Sequence, residues 1–231
     1  MATTISGWVV KTQEYQESSK LIYVMTDSGM VSFLARGVRK YNSAFRSVLE
    51  PYQWIEASLT GSGLQSLKEA KRTRDNKSLS LEASAYLQHL AELFYVLRDT
   101  IPFASLVPFF AEIYHNVVTD PEPYSMMLEL KLLYLLGVNP VFDKCVICGA
   151  TERIGFSIQE GGMVCHEHVS VDMISDQALI LSMYQLYIAD INQELPKIDA
   201  ARLRRFLDQY YSYHVHVETT ARGWIQQIFH Y

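Results

Sequence analysis

The feature that most constrains this chain is a group of cysteines and histidines near its centre. Cys145 and Cys148 are separated by two residues, and Cys165 and His168 repeat that spacing after 16 intervening residues. Two residues between ligands let one tight turn bring both side chains to one ion, and two such turns supply the four ligands of a tetrahedral zinc site. We therefore predict a structural zinc site within residues 142–172, with these four residues as its ligands.

The residues between the two pairs favour a zinc ribbon. Residues 155–160 and 163–164 flank Gly161-Gly162, a hairpin pattern that brings the second pair beside the first. His166 is the alternative fourth ligand, although it cannot easily share a tight turn with its neighbour Cys165. Four protein ligands leave no open position for a catalytic water, so the site is predicted to be structural.

Other chemistries fit these residues less well. A thioredoxin-like Cys-x-x-Cys needs a preceding strand, and residues 139–144 do not form one of that type. A zinc hydrolase needs an open coordination position, and a zinc deaminase needs His-x-Glu ahead of Pro-Cys-x-x-Cys, an order that this sequence lacks. The sequence also contains no glycine-rich phosphate loop, Gly-x-Ser-x-Gly elbow or His-Glu-x-x-His motif. We expect no enzymatic activity.

Charge is distributed unevenly along the 231 residues, whose net charge of -5 excludes a uniformly cationic surface. Residues 1–79 hold 11 Lys and Arg against 7 Asp and Glu, whereas residues 80–231 hold 9 against 18. Such asymmetry points to contact with a polyanion by the N-terminal part alone. Chance unevenness of solvated charge is the alternative explanation.

The N-terminal part is predicted to be a small β-barrel. Apolar runs at residues 21–25 and 30–34 flank Asp27-Ser28-Gly29, and runs at 52–59 and 64–67 flank a second glycine-rich turn. Together with a first strand around residues 5–10, this makes five short strands. The number favours an OB-fold, the oligonucleotide-binding barrel, with an SH3-like barrel as the alternative.

Basic residues cluster after two of these strands. The first group is Arg36, Arg39, Lys40 and Arg46, and the second is Lys68, Lys71, Arg72, Arg74 and Lys77. If the strands close into a barrel, both groups leave strand ends and line one groove suited to phosphate contacts. A charged loop and linker that keep the domain in solution are the alternative.

From residue 80 the apolar spacing changes to three and four residues, which predicts helices, the first with Ser80 as its N-cap. Further helices are expected at about 109–118, 126–136, 176–189, 200–214 and 219–229. Pro102 and Pro108 are predicted to interrupt helical structure before residue 109, and residues 120–123 are predicted to form a loop. We predict an OB-fold domain at 1–79 and a helical domain at 80–231, interrupted by the zinc insertion at 142–172. This is an α+β multidomain architecture.

Two further features concern location. The N-terminus lacks the basic flank and apolar run of a secretory signal, and no apolar segment reaches the roughly 18 to 20 residues needed to span a bilayer. Three cysteines close together fit a reducing compartment better than a disulfide framework. A soluble, cytoplasmic protein without membrane contact is expected.

Several segments taken in order resemble a known family. The segment Leu-Ala-Arg-Gly-Val-Arg-Lys at 34–40 is followed by residues 43–46 and Leu-Glu-Pro at 49–51, and far downstream by Cys-Val-Ile-Cys-Gly and Gly-Gly-Met-Val-Cys-His-Glu-His. This combination resembles the RecO family of bacterial DNA repair proteins, and the similarity runs through the whole chain. A cysteine would be the plainer ligand where this chain has His168.

The resemblance implies an N-terminal OB-fold, a helical domain and a zinc-binding insertion, acting without enzymatic turnover. RecO-like proteins bind single- and double-stranded DNA, anneal complementary strands, engage the C-terminal tail of single-stranded DNA-binding protein (SSB), and work with RecR to help load RecA. A cytoplasmic, nucleoid-associated protein is therefore expected. A protein-protein adaptor, in which barrel and ribbon are only scaffolding, is the alternative.

The resemblance also assigns residues. DNA contact falls on Arg36, Arg39, Lys40 and Arg46 of the matching segment, whereas the second basic group is added from charge alone. The acidic SSB tail requires a basic and apolar pocket. For that pocket we predict Arg202, Arg204, Arg205 and Phe206.

Overall fold

The computed structural model describes residues 3–74, 79–191 and 193–229. It divides into two compact units, an N-terminal unit at Met1–Glu112 and a C-terminal unit at Ile113–Tyr231. The change from strands to helices falls near residue 80, as the sequence indicates. The division between the compact units comes later, because the first helix and the start of the second belong with the barrel.

Within its described residues, the N-terminal unit contains five strands. They are β1 (Thr3–Tyr15), β2 (Ser19–Thr26), β3 (Gly29–Ala35), β4 (Trp54–Thr60) and β5 (Ser66–Arg72). They form a closed barrel in the order β1-β2-β3-β5-β4, and β4 pairs with β1 to close it. The β3–β5 pair is parallel and meets at Leu34 and Ser66, whereas the other pairs are antiparallel. This Greek-key order confirms the predicted OB-type barrel and not the SH3-like alternative.

Alternate side chains along the strands point inward and fill the barrel. Ile22 and Val24 of β2 and Phe33 of β3 are fully buried in one apolar cluster with residues of β1 and β4. The residues between them on the strands point outward. Trp8 of β1 is fully buried outside this cluster, and its ring lies 4.8 Å from that of Phe110, between ring centroids.

In the described part of the chain, six helices follow the barrel. They are α1 (Leu81–Val96), α2 (Phe103–Thr119), α3 (Pro121–Leu135), α4 (Gln177–Ile188), α5 (Ala200–His214) and α6 (Thr220–Phe229). Ser80 caps α1 as predicted, since its hydroxyl accepts a hydrogen bond of 3.0 Å from the Ala83 N–H. The zinc-ribbon segment lies between α3 and α4 and contains a short hairpin of β6 (Gly155–Ser157) and β7 (Gly162–Val164).

Two predictions about prolines were wrong. Pro108 does not interrupt a helix but lies inside α2. Residues 121–123 are not a loop but the first turn of α3. At the first helical position proline loses nothing, because the N–H it lacks would have no partner there. Among the described residues, no helix is both long and apolar enough to cross a membrane.

Candidate metal centre and nucleic-acid interface

The four predicted ligands converge at one point. The Sγ atoms of Cys145, Cys148 and Cys165 and a ring nitrogen of His168 all lie within 4.8 Å of one another. The Sγ atoms of Cys148 and Cys165 are 3.7 Å apart, and Nδ1 of His168 lies 3.2 Å from Cys165 Sγ and 3.8 Å from Cys145 Sγ. Two thiolates bound to one tetrahedral zinc at about 2.3 Å each would be about 3.8 Å apart. The residues therefore fit the predicted metal.

Local backbone structure explains how the pairs are formed. The first pair sits on a turn closed by a 2.8 Å hydrogen bond from the Gly149 N–H to the Cys145 carbonyl. Gly149 has a φ of 77°, which glycine adopts without steric cost. A single 3-10 turn, His166–His168, closes the second pair through a 3.0 Å bond from the His168 N–H to the Cys165 carbonyl. The β6–β7 hairpin brings the two turns together.

The environment of Cys145 favours metal binding. Its side chain is buried, and hydrogen bonds from backbone N–H groups, chiefly that of Cys148, lower the pKa of its thiol to about 6. The thiolate is the form that binds a metal ion. His166 faces elsewhere, since its Nε2 lies 3.3 Å from a carboxylate oxygen of Glu152. The structure therefore places His168, and not His166, in the ligand group.

The ribbon is anchored to the helices of its own unit by aromatic side chains. Phe156 of β6 is fully buried, and its ring centroid lies 5.4 Å from that of Phe206 and 6.3 Å from that of Tyr210, both on α5. The Tyr210 hydroxyl donates a 3.0 Å hydrogen bond to the Val138 carbonyl just after α3. The ribbon that carries the four predicted ligands is therefore packed against the helices of its own unit.

The first basic group lies on the segment between β3 and β4. Arg36, Arg39, Lys40 and Arg46 are all exposed. Arg36 and Lys40 line an open groove whose other wall is the β1–β2 turn, which contributes Tyr15, Gln16, Ser18 and Ser19. The 2.9 Å hydrogen bond from the Leu34 N–H to the Gln65 carbonyl ties the start of this segment to β5. The face of β2 and β3 and the β1–β2 loop are where OB-folds bind oligonucleotides.

Acidic neighbours distinguish the members of this group. Arg39 pairs with Glu14 at 3.1 Å. Within the described ranges, Arg36, Lys40 and Arg46 have no carboxylate within ion-pair distance. These three cations are therefore available to an anionic ligand.

The second basic group is arranged differently from the prediction. Lys68, Lys71 and Arg72 do not follow the last strand but lie on β5 itself. Lys71 pairs with Glu56 at 2.8 Å, and Arg72 donates to the Ser47 carbonyl next to Arg46. The structure thus joins the end of β5 to the 36–53 segment.

The last two members of the second group stand apart. The Arg74 guanidinium stacks 4.7 Å over the Trp54 ring and donates 2.6 Å to the Ala111 carbonyl, which is a structural role. Lys77 lies outside the described residues.

Two of the four residues predicted for the SSB tail are in the core, and their assignment was wrong. The Arg204 side chain is 1% exposed and makes two 2.6 Å hydrogen bonds to the Glu129 carboxylate, which is fully buried. Phe206 is 2% exposed. A buried cation needs a buried anion, and α3 supplies one that sequence spacing did not reveal. Arg202 is exposed but pairs with Asp176 at 2.5 Å, and Arg205 is exposed.

Two family models match most of the chain. The family model described as "Recombination protein O N terminal" matches residues 1–75, and "Recombination protein O C terminal" matches residues 78–222. A DNA repair protein RecO from Bacillus cytotoxicus is 25% identical over 246 aligned residues, covering 99% of this chain and 98% of the relative. One from Bacillus cereus is 26% identical with the same coverage.

Among solved structures, Entamoeba histolytica asparaginyl-tRNA synthetase matches 50% of this chain and 32% of its own, at 14% identity. Its TM-score of 0.30 is too low to carry an argument.

Proposed function

We propose a function from the premise that this chain belongs to the Recombination protein O (RecO) family, whose role lies in DNA repair and recombination. The chain acts as a DNA-binding mediator, without enzymatic turnover, that binds single- and double-stranded DNA and anneals complementary strands. With RecR it helps to load RecA onto DNA covered by SSB, in the cytoplasm at the nucleoid.

One observation carries the DNA-binding part of this proposal. Arg36 and Lys40 are exposed, have no acidic partner in the described part of the chain, and line a groove on the face where OB-folds bind oligonucleotides. Exposed cations held on a rigid barrel favour phosphate groups, and phosphate contact provides most of the affinity of non-specific binding. Arg46 extends the same segment toward Arg72 of β5.

Phosphate contact also supports annealing. A protein that holds a strand through its backbone leaves the base edges free, so that a complementary strand is able to pair with them. No base-reading motif is needed for this activity. The cations of the 36–53 segment suit such a sequence-independent role.

The C-terminal unit serves protein partners in this proposal. Residues 80–231 carry twice as many acidic as basic residues, which disfavours DNA contact. Of the residues predicted for the SSB tail, Arg205 is the remaining candidate, because it is exposed and its Nε bonds only the Ala201 carbonyl among the described residues.

The Cys3His group binds zinc as a structural ion in this proposal. Cys145, Cys148, Cys165 and His168 fill all four positions of a tetrahedral ion, which leaves no place for a reacting water. The ion then holds together a ribbon with only two three-residue strands.

The DNA-binding proposal is tested by charge reversal. We expect the double variant Arg36→Glu/Lys40→Glu to bind a fluorescein-labelled single-stranded oligonucleotide at least about tenfold more weakly in an anisotropy titration. Across a salt series, the loss of two phosphate contacts should reduce the log–log slope by about 1.4 for single-stranded DNA. Lys197→Glu/Arg205→Glu is the matched control, since both residues are exposed and lie outside the barrel.

Equal affinity of the two double variants would contradict the assignment of the groove. Absence of binding by the unaltered protein even at low salt would favour the adaptor alternative. In that case a complex with a protein partner should survive both high salt and charge reversal on the barrel.

A further inference from the structure

The outward face of the barrel carries a row of side chains that leads away from the groove. Lys11 of β1 pairs in register with Tyr23 of β2, which in turn pairs with Ser32 of β3. Lys11 and Ser32 are exposed and Tyr23 is half-buried, whereas the adjacent strand residues Ile22 and Phe33 are fully buried. The row therefore faces solvent on the three strands that also border the groove.

The end of helix α1 lies on this row. The Tyr95 ring packs edge-on against Tyr23, with 5.2 Å between ring centroids. Two cations surround it: Lys11 Nζ is 4.3 Å and Arg98 Cζ 4.7 Å from the Tyr95 centroid. We call Lys11, Tyr23, Tyr95 and Arg98 the α1 cluster. It combines two half-buried aromatic rings with two exposed positive charges at one place on the surface.

The cations of the α1 cluster are not neutralised by strong ion pairs. In the described part of the chain, Lys11 has no carboxylate within ion-pair distance, and its side chain is exposed. Arg98 is 3.8 Å from Asp99, whose side chain is 86% exposed. A contact that long at such an exposed site is weak. Both cations therefore remain able to attract an anion.

The α1 cluster and the groove lie along one strand. Tyr15, which lines the groove, is four residues beyond Lys11 on β1, and the regular register from Lys11 to Tyr15 keeps both on the same side. Four residues of extended strand span about 13 Å. A ligand that occupies the groove and continues along β1 and β2 reaches the cluster.

We infer that the last turn of α1 completes a single-stranded DNA path on the barrel. A strand held by Arg36 and Lys40 crosses the outward face of β1 and β2 and places its phosphates near Lys11 and Arg98. Lys11 Nζ lies 6.0 Å from the Tyr23 centroid and 4.3 Å from the Tyr95 centroid, so a phosphate that draws it aside frees the rings for a stacked base. Alternating cations and aromatic rings are the chemistry by which proteins hold single strands without reading sequence. The inference rests on the proposed function and adds residues from a helix outside the barrel.

The path predicts a preference for one form of DNA. Bases of a duplex are already stacked on their neighbours and paired, so that they cannot lie flat against Tyr95 without being extruded. The α1 cluster therefore contributes to single-strand binding and little to duplex binding, whereas the groove contributes to both.

The test compares two variants by anisotropy with a labelled single-stranded oligonucleotide and with its duplex. We expect Lys11→Gln/Tyr95→Leu to weaken single-strand binding about tenfold, given the usual cost of losing one stacked base, and to change duplex binding less than about twofold. Tyr134→Leu/Lys197→Gln is the matched control, because Tyr134 and Lys197 are exposed residues of the C-terminal unit.

A second measurement uses the unaltered protein, so that it does not depend on the folding of a variant. The oligonucleotide carries 5-iododeoxyuridine, is crosslinked by light, and the modified peptides are identified by mass spectrometry. Crosslinks to Tyr23 or Tyr95 are expected. Crosslinks confined to other residues would overturn the path.

The outcomes separate the inference from the proposed function. Unchanged single-strand affinity of Lys11→Gln/Tyr95→Leu, combined with sensitivity to Arg36→Glu/Lys40→Glu, would overturn the path and leave the groove in place. Equal losses for single strand and duplex would overturn the stacking role of Tyr95. No binding of either DNA by the unaltered protein would overturn both proposals.

Discussion

At the scale of single residues, burial separates the charges that stabilise the fold from those available to a ligand. Arg204 and Arg205 are adjacent on α5, yet the first is 1% exposed and bonded to Glu129, whereas the second is exposed. Asp208 adds a 3.0 Å contact to Arg204 and a 2.7 Å contact to Arg222 of α6. The network joins α3, α5 and α6, so these charges are engaged within the C-terminal unit and are not available to a ligand.

This difference predicts the effect of two neighbouring substitutions on stability. Arg204→Ala should lower the free energy of unfolding by about 3–5 kcal/mol, because the Glu129 carboxylate would stay buried without its partner. Arg205→Ala should change it by less than about 0.5 kcal/mol, as expected at an exposed position. Urea denaturation followed by circular dichroism measures both. Similar values for the two variants would show that the ion pair does not stabilise the unit.

Sequence reasoning succeeded at residues whose spacing fixes their geometry. The two-residue spacing of Cys145 and Cys148 holds both thiols on one turn whatever the rest of the fold. The burial of Arg204 depends on Glu129, which is 75 residues away and packs against it only in the folded unit. The contribution of Tyr95 to the barrel face is equally non-local, since α1 follows the barrel in sequence and reaches β1 and β2 through packing.

At the scale of elements, we expect the ribbon to depend on metal binding by Cys145, Cys148, Cys165 and His168 and on its contact with α5. Its two strands have three residues each, too few to fold alone, and Phe156 buries its ring between Phe206 and Tyr210. Metal binding and folding of such a segment are coupled. The ribbon should therefore lose its metal and its order together.

A ligand substitution tests this coupling. Cys148→Ala should reduce bound zinc, measured by inductively coupled plasma mass spectrometry, and lower the melting temperature of the protein at the same time. His166→Ala is the control, because His166 lies beside the group but faces Glu152. Loss of zinc in His166→Ala, or a metal-free Cys148→Ala protein of unchanged stability, would contradict the assigned ligands or their structural role.

Local sequence patterns predicted the end of β5 and the start of α2 wrongly. The apolar pattern predicts that the last strand ends at Leu67, but β5 continues to Arg72. Backbone pairing with β4 stabilises these further residues although they are polar and mostly exposed. Pro108 is predicted from the sequence to interrupt helical structure, yet α2 continues through it. Proline removes one hydrogen bond of a helix, and burial of residues such as Phe110 and Ile113 offsets that loss.

At the scale of the whole molecule, the chain separates its charges between two parts. The positive excess lies in residues 1–79. Of these cations, Arg36 and Lys40 are exposed, have no carboxylate partner among the described residues, and line the groove. The negative excess lies in residues 80–231, which hold the metal group. We therefore propose that DNA binds the barrel and the end of α1, and that the ribbon has a structural role.

Hydrogen–deuterium exchange of the intact protein, with and without a saturating single-stranded oligonucleotide, tests this assignment most directly. We predict slower exchange on DNA binding in residues 15–40 and 95–98 and unchanged exchange in residues 145–168. Protection confined to the ribbon or to other parts of the C-terminal unit, with the barrel unaffected, would contradict it.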